Sequence, residues 1–269
     1  MSERPSARPA PLQRWRGEAL EPVDACETGE VAVVAADSWL VVDGRVLALD
    51  LHRTRFLEAL PAEWRDRGEE FFDAAVAAIP RQGEWFPRVD LRGEGDRLEL
   101  QLRMRPAPER TRWVVVATHR GPDPRREPNV KGPDLATMLR LRTEAQQRGA
   151  GEAILVSPEG YLVEGAYSGL AWWRGDLLCF PAHDLDRVDS VTARTLETLA
   201  SALGVEVLHE HVTASELDGH EVWTLSALQG IRIVTQWVDG PQLAELPGRL
   251  DLWRRRLESL RRPLPAAPL

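Results

Sequence analysis

The chain has 269 residues, 43% of them apolar and 28% charged, with a formal net charge of −8. That content supports one large core or two moderate ones, and the acidic balance argues against a nucleic-acid partner, which would call for a basic face. No apolar run approaches the roughly 20 residues that cross a bilayer, and the two cysteines, Cys26 and Cys179, are too far apart in sequence to mark a metal pair or a disulfide framework.

In chain order, residues 1–30 lack the apolar stretch of a signal peptide and are expected to be a flexible lead-in. A reducing cytoplasm is the expected compartment. Residues 31–50 hold two β-rich runs around Asp43-Gly44, a good hairpin turn. Helices are expected over 51–60 and 69–79, an alternating strand over 98–105 and a fuller apolar strand over 113–118. These make a small α+β domain over 31–120. Residues 119–130, rich in Pro, Arg and Gly, read as a linker. A larger domain is expected over 131–260, with helices over 134–148, 191–203 and 250–260. Between them run strands near 153–156, 161–164, 169–173, 177–180, 205–211, 221–225 and 231–238. A Pro-rich tail closes the chain over 261–269.

Lys131 is the only lysine in a Lys+Arg total of 34. Exchange of surface lysine for arginine costs little, but an amine that must lose its proton and attack a carbonyl cannot be replaced by a guanidinium. The segment that follows Lys131 contains "EAILVSPEGYLVEGAYSGLAWWRGDLLCFP", with Glu152-Ala153, Gly160, Val163-Glu164-Gly165, Trp172-Trp173 and Leu177 to Pro181 at successive positions. This pattern resembles the class IV pyridoxal-phosphate enzymes: the branched-chain and D-amino-acid aminotransferases and aminodeoxychorismate lyase. The resemblance spans about residues 37–238.

The resemblance implies a two-domain α/β (α+β) fold of the D-amino-acid aminotransferase type, with pyridoxal 5'-phosphate held between the domains. It implies that Lys131 forms the Schiff base, and that Glu164 is the carboxylate beside the ring nitrogen, which favours the protonated ring. His52-Arg53-Thr54-Arg55-Phe56 matches the family's H-x-x-R-L, which assigns Arg55 to the phosphate. Ser190-Val191-Thr192 matches the family's phosphate-binding helix start, and Ser226 and Ala227 fall in a second phosphate loop. The implied activity is amino-group transfer between an amino acid and a 2-oxo acid, by a homodimer. The alternatives are aminodeoxychorismate lyase, giving 4-aminobenzoate and pyruvate, and a non-catalytic binding protein. Two departures from the pattern are Gly169 at the family's Asn position and Ala36 to Val41 in the N-terminal segment.

Simpler readings stand beside these. Arg53 rather than Arg55 could face inward. Arg103 and Arg105 could bind a substrate carboxylate or line an exposed sheet face. Tyr161 and Tyr167 could line a pocket or pack at its rim. His209 and His211 share a strand face, with His220 later, but three or four converging ligands are needed for a metal and no metal site is expected. Ten tryptophans in an acidic chain point to core and interface packing.

Overall fold

A computed structural model describes residues 11–23 and 31–266. They divide into two compact units: the described residues up to Pro108 together with those from Arg262, and Glu109–Arg261. Cys26 lies outside the described residues.

The first unit is built from strands β1 (Leu12–Trp15), β2 (Leu20–Pro22), β3 (Val33–Ser38), β4 (Val41–Val42) and β5 (Arg45–Val46), helices α1 (Leu49–Glu58) and α2 (Arg65–Ala77), and strands β6 (Glu84–Trp85), β7 (Arg88–Arg92) and β8 (Glu99–Arg103). A five-stranded sheet runs in the order β2-β1-β8-β7-β3, all of it antiparallel. Strands β7 and β8 alternate apolar and polar side chains, but the polar face is covered too, with Asp90 and Gln101 buried. Val89, Leu91, Leu100 and Leu102 join Phe56, Phe71 and Phe72 of the helices in one core. Asp43 and Gly44 take φ of 46° and 69°, the left-handed pair that a two-residue hairpin loop between β4 and β5 requires.

Two expectations change here. The lead-in is not wholly without structure, because β1 pairs with β8 and buries Leu12 and Trp15. The C-terminal stretch likewise adds an edge strand, Arg262–Pro263, which pairs with β5, and Leu264 is buried. Both segments are short and carry few apolar residues, so neither shows a periodic pattern of its own.

The second unit holds β9 (Trp113–Thr118), α3 (Leu135–Gln147), β10 (Glu152–Val156), β11 (Leu162–Gly165), β12 (Gly169–Arg174), β13 (Leu177–Pro181), α4 (Val191–Ala202), β14 (Val207–Glu210), β15 (Glu221–Ser226), β16 (Gly230–Val238) and α5 (Arg249–Ser259). Its eight-stranded mixed sheet has the order β11-β10-β9-β16-β15-β12-β13-β14. The sheet curls until its ends meet: Tyr161 bridges Thr213, and Leu162 N donates to Val212 O over 2.8 Å. Val114, Val116, Ile154, Leu170, Trp172, Val222 and Val234 form one cluster within the curl. The alternate residues Ala117, Ala153 and Leu155 pack against Met138, Leu141 and Ala145 of α3. Trp173 and Trp223 meet Trp253 of α5 at ring-centroid distances of 5.4 and 6.3 Å. Most of the tryptophans thus pack in the cores, while Trp113 is 58% exposed.

Strand β9 corrects a boundary. The sequence places Trp113–Thr118 in the first domain, but the strand pairs in parallel with both β10 and β16 and lies inside the second sheet. Its near-continuous apolar run suits a strand covered on both faces, and such a strand can complete either sheet.

Candidate active site

Glu164 sits near the end of β11 and is 7% exposed. It is held from two directions. Arg125 Nη1 forms an ion pair with Oε1, and Val188 N donates to the same oxygen over 3.1 Å. Both hydrogen bonds end on Oε1, which leaves Oε2 for a further donor. Burial drives the carboxyl pKa up; Arg125, the Val188 N–H and Lys131 pull it part of the way back, and the result is about 7.

Lys131 is half-buried and near enough for its charge to act on Glu164. Its loop is braced throughout. Asp134 Oδ2 accepts from the amides of Arg126 and Glu127 at 3.0 and 2.9 Å. Val130 N donates to Glu127 O over 3.0 Å, and Asn129 Nδ2 to Asp186 Oδ1 over 3.0 Å. The supposed linker is therefore part of the second unit's framework. Arg125, the residue at its centre, went unnoticed in the sequence because nothing local separates it from the chain's many other arginines. Its one signal is Asp123 two residues earlier.

The α4 N-terminus follows directly on the segment that carries Val188. Ser190 Oγ caps it by accepting from Ala193 N over 3.3 Å. Val191 and Thr192 are buried, and their amides have no acceptor among the hydrogen bonds of the described residues, the usual state of a first helical turn. Gly169 lies against this helix start: a Cβ there would come within 3.3 Å of Ser190 Cβ and Oγ. The glycine at the family's Asn position thus permits a close approach of β12 and α4. Ser226 ends β15, whose Leu225 pairs with Gly169, and its Oγ accepts from Gln229 N over 3.2 Å within the turn that contains Ala227. Glu164, Val191, Thr192, Ser226 and Ala227 all belong to the second unit, with Lys131.

Arg55 belongs to the first unit, and it is Arg55, not Arg53, that turns inward. Arg53 pairs at the surface with Glu69 and Asp73. Arg55 donates from Nε and Nη2 to the two oxygens of Asp37, each over 2.8 Å. His52 Nδ1 lies 2.8 Å from Asp37 Oδ1. Asp37 is fully buried; burial pushes its carboxyl up, but Arg55 and His52 outweigh that and hold it below the usual carboxylate range. Nothing local in the sequence marks Asp37 or His52 for this cluster, because their partners lie 15 to 18 positions apart.

The remaining candidates find other employment. Arg105 donates to Phe86 O over 2.8 Å and lies over the Phe86 ring. Tyr161 packs on His211, and Arg142 lies over Tyr167. His209 binds Glu197 and stacks on His183, while His211 binds Asp184. No group of three His, Cys, Asp or Glu among the described residues has a geometry that could hold a metal ion. No described helix is long and apolar enough to cross a membrane.

Comparison with known proteins defines the class. The pattern of the family "Amino-transferase class IV" matches residues 35–237, and the chain belongs to that family. It is a family of pyridoxal-phosphate-dependent enzymes, so the cofactor and enzyme expectations follow from membership. The fold is that of solved class IV structures. A branched-chain amino acid aminotransferase from Thermobaculum terrenum in its PLP form superposes with a TM-score of 0.77 at 18% identity, over 94% of this chain and 96% of that one. A hypothetical aminotransferase from Mycobacterium tuberculosis in its PLP-bound form gives 0.70 at 21% identity, over 84% and 87%. A fold IV transaminase from Curtobacterium pusillum gives 0.69 at 21%, over 93% and 96%. No curated protein matches the sequence.

The raised pKa of Glu164 has a measurable consequence. A carboxyl whose pKa is higher folded than unfolded contributes stability below its unfolded pKa and loses it as pH rises through its folded pKa. The window runs from the ordinary value of 4.5 to about 7. In the protein without cofactor, the contribution lost across that window is on the order of 3 kcal/mol. Urea unfolding of wild type and Glu164→Gln at pH 4.5 and pH 8 measures it. Wild type should lose stability relative to the variant as pH rises; a constant difference would rule out the raised pKa.

Proposed function

We propose that this chain transfers an amino group between an amino acid and a 2-oxo acid, with Lys131 as the residue that binds pyridoxal phosphate covalently. The observation that carries the reading is the convergence of Lys131's braced loop and the buried Glu164. The α4 start, with its open amides, belongs to the same unit. The donor set suits the cofactor. Glu164 retains an oxygen for a protonated ring nitrogen. The amides of Val191 and Thr192, at the positive end of a helix dipole, suit a phosphate. Ser226 and Ala227 supply further amides and a hydroxyl for it. Arg55, held rigid by Asp37, is the proposed guanidinium donor to the phosphate.

Pyridoxal phosphate, when bound, supplies an aldehyde that captures amines and a ring that accepts electrons from the α-carbon. The residues contribute the rest. Lys131 Nζ, whenever it is not bonded to the cofactor, would be the base that accepts and returns the substrate's α-proton. Glu164 would stabilise positive charge at the ring nitrogen. The phosphate donors fix the position from which Lys131 works. We assign the protein to the cytoplasm and expect a homodimer, which size-exclusion chromatography with light scattering would measure.

The activity is tested by incubating the protein and cofactor with a panel of L- and D-amino acids and 2-oxoglutarate. Transfer appears as glutamate formation. Pyruvate released from aminodeoxychorismate without an amino acceptor would instead identify the lyase, and inertness in both assays would favour a binding protein.

A further inference from the structure

The guanidinium of Arg125 is 3% exposed, and every one of its nitrogens is engaged. Nε donates to Asp123 Oδ1 over 3.0 Å and to Oδ2 over 2.9 Å, and Nη2 donates to Oδ2 over 2.6 Å. Nη2 also donates to Asp186 O over 3.0 Å. Nη1 donates to Pro128 O over 3.3 Å and pairs with Glu164. These acceptors lie on three separate stretches of chain. Pro128 is three residues before Lys131. Glu164 is on β11. Asp186 begins the segment that supplies Val188 N to Glu164 and then enters α4. A single buried cation therefore ties together the supports of the lysine, the ring-nitrogen carboxylate and the phosphate-binding helix start.

We propose that Arg125 is a positioning residue of the cofactor site: paired with Asp123 behind it, it fixes Glu164 through Oε1, directs Oε2 to the ring nitrogen, and determines whether Glu164 carries the negative charge that a protonated ring nitrogen requires. This rests on the reading of Glu164 given above.

Charge and geometry act together here. A buried carboxylate that loses a neighbouring cation takes up a proton more readily; Lys131 and Arg187 also act on Glu164 by charge, and Arg125 adds a hydrogen bond to its charge. Asp123 holds Arg125 bidentately from the side away from Glu164, and its own pKa lies below the usual range: burial raises it, and bonding to Arg125 more than offsets that. Arg125 in turn is raised: burial lowers it, but Asp123 and Glu164 outweigh burial, so the cation is secure at every working pH. The row Asp123–Arg125–Glu164 thus alternates in sign, and changing Arg125 or Asp123 shifts Glu164 in a defined direction.

The sign of that shift separates positioning by charge from general loosening. The carboxyl of Glu164 is titrated in the cofactor-free protein by carbon-13 NMR of labelled glutamate, with Glu164→Gln to assign the resonance. Arg125→Met should raise the midpoint by about 1–3 pH units, and Arg125→Lys should return it part of the way. A merely loosened site would admit water and lower the midpoint towards that of a free glutamate. Asp123→Asn provides the second test, should Arg125→Met not fold. It leaves Arg125 with Glu164 as its one carboxylate partner among the described residues, and the midpoint should fall. An unchanged midpoint in both variants, or a fall in Arg125→Met, would overturn the proposal. The functional reading fails separately, through wild-type protein that forms no Lys131-dependent visible band with pyridoxal phosphate.

Discussion

On the proposed reading, Lys131→Ala should abolish amino-group transfer, with a loss on the order of 10⁴-fold or more, because the variant would forfeit both the covalent attachment point and the proton-transfer base. The loss should lie in chemistry rather than in folding. Lys131 is only half-buried, and its loop is held by other groups: Asp134 on the amides of Arg126 and Glu127, Asn129 on Asp186, and Arg125 on Pro128 O. Far-ultraviolet circular dichroism and the thermal midpoint should stay close to wild type. Lys131→Arg should be equally inactive, since a guanidinium keeps its proton. Retention of more than about a hundredth of wild-type activity in either variant would be incompatible with the role given to Lys131, because general base catalysis alone contributes roughly 10²–10⁴-fold.

Asp37→Ala should destabilise the protein by about 3–5 kcal/mol, the usual result of removing one partner from a buried ion pair. Asp37 is fully buried and takes hydrogen bonds from Arg55 Nε and Nη2 and from Ser38 N, with His52 Nδ1 at 2.8 Å. Its removal takes the Asp37 carboxylate away from the Arg55 guanidinium and the His52 ring in a site packed by Trp39, whose ring lies 5.9 Å from that of His52. Domain stabilities of about 5–15 kcal/mol leave little margin for such a loss. The pH dependence has a definite sign. A carboxyl whose folded pKa is depressed contributes above its unfolded value, 3.8, and loses that contribution as pH falls through the folded value. Wild type and Asp37→Ala should therefore converge only in strong acid. Urea unfolding monitored by tryptophan fluorescence measures the difference at pH 7; a change below about 1 kcal/mol would mean that the Asp37 cluster carries little of the stability assigned to it.

The sequence was most informative where a local rule settles the matter. The Asp43-Gly44 turn, the apolar period of α3 and α4, and the short strands from Glu152 to Pro181 each express a preference of their own stretch of chain. The class IV pattern rests on those same strands, and the family match spans them. What local reading missed depends on pairing across the chain. Strand β9 is apolar on both faces, and only its parallel partners β10 and β16 assign it to the second sheet. Strand β1 is recognisable once β8 offers it an edge. The same holds for side chains. Lys131 stood out because composition isolated it. Arg125 did not, since its meaning lies in Glu164, 39 positions away. Asp37 gains its role from Arg55, 18 positions on.

The central claim is that pyridoxal phosphate bonds to Lys131. Borohydride reduction of the protein loaded with pyridoxal phosphate, followed by proteolysis and mass spectrometry, tests it most directly. A phosphopyridoxyl group on the peptide that contains Lys131, and loss of that label in Lys131→Ala, is the expected result. A label confined to the N-terminal amine, or no label on protein whose cofactor solution still absorbs as free aldehyde, would contradict it.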